Sequence, residues 1–188
     1  MITPKVTENK VVFGPCRLSY THVFEKHSFD GNPDNGKYST NILIPKTETE
    51  TIKALKSAIE AAKNAAIASK WQGKCPKDLK SPLLDGDQKD DDEVYAGHYY
   101  LNAKASTRPG VVDRNGQPII DEEEIYSGVW AYVSVAFFGF NVNVNKGLSC
   151  GLNNIKKFKD DEKLGGRVSA STDFAGIDIE ENDDDLFN

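Results

Sequence analysis

Ile125-Tyr126-Ser127-Gly128-Val129-Trp130-Ala131-Tyr132-Val133-Ser134-Val135-Ala136-Phe137-Phe138 decides the fold class of this chain. Val129, Ala131, Val133 and Val135 alternate with Trp130, Tyr132, Ser134 and Ala136, and a period of two over β-branched and aromatic residues marks a strand. The pattern runs from Ile125 to Val144, and the doubled Phe137-Phe138 predicts a bulge where it slips.

Further strands lie on either side. Gly147 to Phe158 reads as the last one. Upstream, Val111 to Ile120 holds Asn115-Gly116 between short apolar runs, a hairpin signal. Gly97 to Ser106 sets Tyr99, Leu101, Ala103 and Ala105 against His98, Tyr100, Asn102 and Lys104. Lys37 to Ile44 alternates in the same way after the turn residues Phe29 to Gly36. Val11 to Tyr20 is a first strand broken at Gly14-Pro15, where the missing proline donor predicts a bulge or an edge. One helix is predicted over 47–70: Thr47 and Glu50 have capping-box spacing, and Ile52, Leu55, Ile59, Ala62 and Ala66 form one apolar stripe. Residues 72–93 read as irregular. The sum is an all-β dominated fold with one inserted helix and long loops, which an OB-like five-stranded Greek-key barrel accommodates, as another small barrel also would.

The 188 residues carry a formal charge of −6. Seven of the 29 acids stand between Asp173 and Asp185, beyond the last basic residue, Arg167. Setting those seven aside leaves 22 acids against 23 basic residues, so residues 1–172 carry +1. We divide the chain into a folded body, 1–165, and a flexible acidic tail, 166–188, whose composition cannot bury enough surface to order itself. The tail joins Asp183-Asp184-Asp185 to Leu186-Phe187. Acid followed by an apolar pair suits docking on a basic, apolar partner, or folding back over a cationic groove of the body.

No apolar run approaches the ~20 residues of a membrane span, no signal peptide is evident at the N-terminus, and Cys16, Cys75 and Cys150 have no paired spacing. The expected setting is the cytoplasm of a host cell. Asp85 to Glu93 is acidic enough to raise a metal-dependent nuclease, but its spacing matches no metal loop, and His22, His27 and His98 are dispersed. Neither catalysis nor a cofactor is expected.

Binding of single-stranded nucleic acid needs cations along the phosphates and exposed rings under the bases. Tyr100 and Lys104 share one strand face, Trp130 and Tyr132 another, with Lys37, Arg108, Arg114 and Lys146 at strand ends and the hairpin. These eight are the candidate DNA contacts. A phage assembly or protein-interaction module without DNA affinity is the alternative, and the sequence leaves a homodimer open.

Phe13-Gly14-x-x-Arg17-Leu18-Ser19-Tyr20, Gly36-Lys37-Tyr38-Ser39, Gly128-Val129-Trp130-Ala131, Lys146 to Asn154, Leu164-Gly165-Gly166-Arg167 and Asp173-Phe174 together resemble a bacteriophage single-stranded DNA-binding protein family. The resemblance implies an OB fold, sequence-independent binding of single strands and a role in phage DNA replication and recombination, with replication or recombination proteins met through the tail. It brings no catalytic residues. Many single-strand binders close their acidic tail on Phe; here Asn188 follows Phe187, so the carboxylate sits one residue beyond the ring.

Overall fold

The computed structural model describes residues 2–28, 30–89, 93–142 and 145–165. Eight strands follow in order: β1 (Lys5–Thr7), β2 (Lys10–His27), β3 (Lys37–Pro45), β4 (Leu83–Asp85), β5 (His98–Ala105), β6 (Gly110–Val112), β7 (Trp130–Val142) and β8 (Asn145–Lys159). One helix, α1 (Thr49–Ser69), separates β3 from β4.

Five strands close on themselves. β2 pairs antiparallel with β3 and β7, β3 with β5, and β7 with β8. The ring is sealed by a parallel contact of β5 with β8, Ala103 opposite Cys150 and Lys104 opposite Gly151. This is the OB barrel, with β2, β3, β5, β7 and β8 as its five strands; closure removes the edges that an open sheet of this size would expose. β1, β4 and β6 are short additions to β2, β5 and β8.

The period-two pattern sorts the wall into inside and outside. Leu18, Ile42, Leu101, Val133, Val135 and Ile155 are essentially inaccessible and fill the barrel. α1 packs across it with Ile52, Leu55, Ala58, Ala62 and Ala66 buried; truncating Leu55 to Ala would cost ~2–5 kcal/mol through lost burial and the cavity left. The β7–β8 hairpin docks on the helix end. Trp71 Nε1 donates to Phe140 O at 3.0 Å and Lys70 Nζ to Gly139 O at 2.8 Å. Gly139 is required there, because a Cβ would fall 2.2 Å from that of Ala66.

Several expectations are corrected. Thr47 and Glu50 make no capping box: Glu48 occupies the cap position without a side-chain bond, and backbone turns out of Pro45 start the helix instead. The long strand begins at Trp130 rather than Ile125, because Val129 N bonds back to Tyr126 O and Gly128 has φ +118°. Phe137 and Phe138 form no bulge; Phe137 is buried and Phe138 is outside, in unbroken register with Cys150 and Ser149. The β7–β8 register shifts instead between Trp130 and Ala131 and between Ser134 and Val135. Asn115-Gly116 does turn, but Pro118 has no N–H for a ladder, and only a bridge from Val112 to Pro118 forms. Residues 72–93 hold β4 and the 3-10 turn Gly86–Gln88, so the segment is not wholly irregular. The break at Gly14-Pro15 is a bulge, a register shift between Phe13 and Cys16 against β7.

Candidate nucleic-acid interface

The outer wall of β2, β3 and β5 carries a groove of about 350 Å³ lined by Tyr20, Ser39, Asn41, Lys89, Asn102, Ala103 and Lys104. Register explains the grouping. Ser39 lies opposite Lys104, Asn41 opposite Asn102 and Leu43 opposite Tyr100, and directly opposed residues of an antiparallel pair share a face. Since Ile42 and Leu101 point into the barrel, their neighbours point out.

Tyr20 breaks the alternation. Following Leu18 it would turn inward, but the β2–β3 register shifts between Ser19 and His22, and Tyr20 takes φ +47°. The ring is thereby thrown onto the surface, 53% exposed, at the rim of the groove.

The segment before β5 covers the other end. Tyr95 is fully buried, accepts a hydrogen bond from Asn41 Nδ2 at 2.7 Å and meets the Tyr100 ring edge-on at 5.0 Å. Lys89 Nζ stands 3.4 Å from the Tyr95 ring centroid and 5.0 Å from that of Tyr20, a cation among aromatic faces. At the groove floor Ser39 Oγ is buried and has no hydrogen-bond partner among the described residues. Buried hydroxyls are rarely left so.

Lys37 Nζ donates to Ser106 Oγ at 2.8 Å at the end of the β3–β5 ladder beyond Lys104. Arg108 lies 5.0 Å over the ring of Phe24, near the end of β2. Of the eight candidate contacts, then, Lys104 lines the groove, Lys37 and Tyr100 lie on the same face of the sheet, and Arg108 is tied to β2. The β2–β3 loop is organised by Asp30, whose carboxylate accepts from Ser28, Asn32 and Asn35. The Ser28 hydroxyl, followed by the Asn32 amide and Asn35, holds its pKa down to about 2.

Trp130, Tyr132 and Arg114 stand elsewhere. Tyr132 meets Phe158 edge-on at 5.5 Å, and Arg114 lies 5.7 Å over the same Phe158 ring, on the β7–β8 wall. The hollow beside Tyr132, about 410 Å³, is lined by Val12, Val112 and Ile155 and suits apolar contact better than a polyanion. Trp130 Nε1 donates to Asp161 Oδ2 at 2.6 Å, and this bond is the main reason the Asp161 carboxyl titrates below its usual range. Lys146 sits near the hairpin turn, opposite Asn141. Asp183, Asp184, Asp185, Leu186 and Phe187 lie outside the described residues, as do residues 90–92.

Two acids of the suspected metal cluster are engaged otherwise: Lys46 Nζ meets Asp85 at 2.5 Å and Asp87 at 2.6 Å. Those carboxylates raise the pKa of Lys46, and Lys46 lowers that of Asp87. Burial drives the thiol pKa of Cys16 and Cys150 upward, which leaves both as packing residues.

A family model described as the Enterobacter phage Enc34 single-stranded DNA-binding protein matches residues 9–187. The chain belongs to that family. A curated relative, protein p50 of Acyrthosiphon pisum secondary endosymbiont phage 1, is 32% identical over 186 residues, covering 93% of this chain and 97% of that protein. Among solved structures, the bacteriophage Enc34 protein in complex with single-stranded DNA superposes with TM-score 0.72 at 26% identity, over 86% of this chain and 96% of that one. The gp2.5 single-stranded DNA-binding protein of bacteriophage T7 reaches TM-score 0.59 at 16% identity, over 87% of this chain and 99% of that one, and shares the fold. Tyr20 and Lys89 were not among the residues singled out from sequence as DNA contacts. Alternation assigns Tyr20 to the core, and Lys89 lies beside an acidic run that draws the eye.

Proposed function

We propose that the chain binds single-stranded DNA without sequence preference, in the groove of β2, β3 and β5, and does no chemistry on it. The observation that carries this is the convergence on one outer wall of Tyr20 and Tyr100 with Lys37, Lys89 and Lys104. In OB barrels the outer face of the second and third strands, here β3 and β5, is the usual seat of an oligonucleotide. Rings and amides on that face suit stacking and general polar contact more than the reading of particular base edges. Membership in the Enc34 family and the DNA-bound neighbour support the reading. A role in phage DNA replication and recombination, in the host cytoplasm, is the setting that follows.

The acidic residues 173–188 then serve two ends, competing with DNA for the groove and docking replication or recombination proteins through Leu186 and Phe187. Supporting the first is the place where the body delivers them. Arg17 Nη2 donates to Glu162 O at 2.9 Å and Leu164 N to Ser127 O at 2.7 Å, while Thr21 N donates to Ser127 Oγ at 3.2 Å. Leu164 is thus fastened beside the residue that follows Tyr20, at the groove rim.

Anisotropy of a labelled poly-dT oligonucleotide, at low and moderate salt with duplex as competitor, tests the reading. Tight binding that weakens with salt and resists duplex is expected. No binding, with or without residues 173–188, would move the chain to the class of protein-interaction modules.

A further inference from the structure

The positive charge of this chain is concentrated away from the groove. Between Thr51 and Pro82 stand seven lysines and two acids, a net of +5. Residues 1–172 sum to only +1, so the rest of that span is at −4. Folding gathers these lysines. At 3.6 residues per turn Lys53, Lys56, Lys63 and Lys70 fall within about 100° of arc along one side of α1, next to its buried stripe.

Ile59, expected in the core, is instead half-buried at that border, where it lines a cleft of about 350 Å³ with Lys63. The facing wall is the loop bearing Cys75, Lys77 and Lys80, and Leu148 of β8 also reaches the cleft. Glu60 lies in it too, held by Lys63 at 3.0 Å. Lys74, Lys77 and Lys80 are exposed and form no ion pair among the described residues. So many like charges repel one another, and a polyanion that neutralises them gains by releasing its counterions.

A short stretch of chain links the cleft to the sheet that carries the groove. Pro82 leads directly into β4, whose Leu84 lies opposite Tyr100 on the outer face. Lys80 is four residues from Leu84, at most ~14 Å along the chain. β4 is the strand next to β5 in the sheet, so these lysines follow the edge beyond Tyr100.

We propose that the cleft between α1 and the 74–81 loop is a second contact site for the phosphodiester backbone of the single strand held in the groove. It extends the binding site beyond the barrel and rests on the single-strand reading above. Long oligonucleotides therefore gain affinity that short ones cannot.

Cys75 provides a direct probe, since it is exposed while Cys16 and Cys150 are buried. In the full chain an environment-sensitive dye on Cys75 is expected to respond to dT30 and stay silent with dT8, although anisotropy shows both bound. In the unlabelled chain, K74Q/K77Q/K80Q is expected to weaken dT30 roughly 10-fold at low salt. The same change should lower the slope of log K against log salt by about 2, at ~0.7 per phosphate contact, and leave dT8 unaffected. Equal losses for both lengths, no loss for either, or a silent dye with dT30 bound would overturn the proposal. So would a dye that answers a peptide of residues 173–188 and not DNA. If neither oligonucleotide binds the unmodified chain, the single-strand reading itself fails and the cleft proposal falls with it.

Discussion

Asn41 and Tyr95 are joined on the outer face of the barrel: the amide of Asn41, on β3, donates to the Tyr95 hydroxyl at 2.7 Å, although Tyr95 belongs to the segment before β5. Through this bond a loop residue becomes one of the most buried side chains in the protein. The loop is thereby pinned against Tyr100, and Lys89 is held over the rings. One side of the groove is built by tertiary hydrogen bonding rather than by a strand.

Tyr95→Phe keeps the ring and loses the bond, so stability should fall by about 1 kcal/mol, the usual net worth of such a hydrogen bond. Urea midpoints measure it. Affinity for poly-dT should change little, because the phenyl ring keeps its packing on Tyr100 and under Lys89 and so still holds that side of the groove.

Tyr20→Ala should do the reverse. The ring is mostly exposed, so its removal barely alters stability, while losing one stacked base costs ~1–3 kcal/mol, roughly a 5- to 150-fold rise in Kd. An unchanged Kd would remove Tyr20 from the interface.

Lys104→Gln and Arg114→Gln distinguish the two walls. Lys104 lies in the groove, whereas Arg114 stacks on Phe158 of the β7–β8 wall. The salt slope should drop by ~0.7 for Lys104→Gln and stay level for Arg114→Gln. The opposite result would transfer the DNA path to the side of Tyr132 and Trp130.

These comparisons mark where the sequence was readable. Alternation located β3 and β5 closely because inward and outward residues differ in polarity along each of them. It failed at Tyr20, where a register shift and a positive φ reverse a side chain's facing, and neither leaves a trace in hydrophobic periodicity. Lys37, Tyr100 and Lys104 fall on one outer face because they sit on regular strands, where alternation holds. The β7–β8 residues were grouped with them because sequence shows which face of its own strand a residue occupies, but not where that strand stands around a closed barrel. β4 was missed for a simpler reason: three residues are too few to display a period.

His22 predicts a pH dependence. It stacks on His27 with centroids 4.2 Å apart, and burial, followed by repulsion from His27, lowers its pKa below the ordinary 6.5 of an imidazole. The unfolded chain therefore takes up this proton first as pH falls. Stability should decline from about pH 6.5 down through the native pKa, and be indifferent to this group above that range. His22→Asn should flatten the decline, read as urea midpoints between pH 7.5 and 5.5. An equal decline in the variant would assign it to other groups.

Ending the chain at Thr172 removes seven carboxylates and shifts its formal charge from −6 to +1. Residues 160–164 stay fastened, since Tyr126 OH donates to Asp160, Trp130 to Asp161, Arg17 to Glu162 O and Leu164 N to Ser127 O. Gly128 allows that close approach, because a Cβ there would come 2.1 Å from Glu162 O. The barrel and groove should thus survive truncation. If the acids compete with DNA, the shorter chain binds poly-dT more tightly at low salt. Its advantage shrinks as salt rises, since exposed charges are screened beyond ~10 Å at 0.1 M. Equal affinity at every salt would leave the acids a role in partner docking alone. Loss of binding would show that residues 173–188 hold DNA rather than displace it, and would sink the competitor assignment.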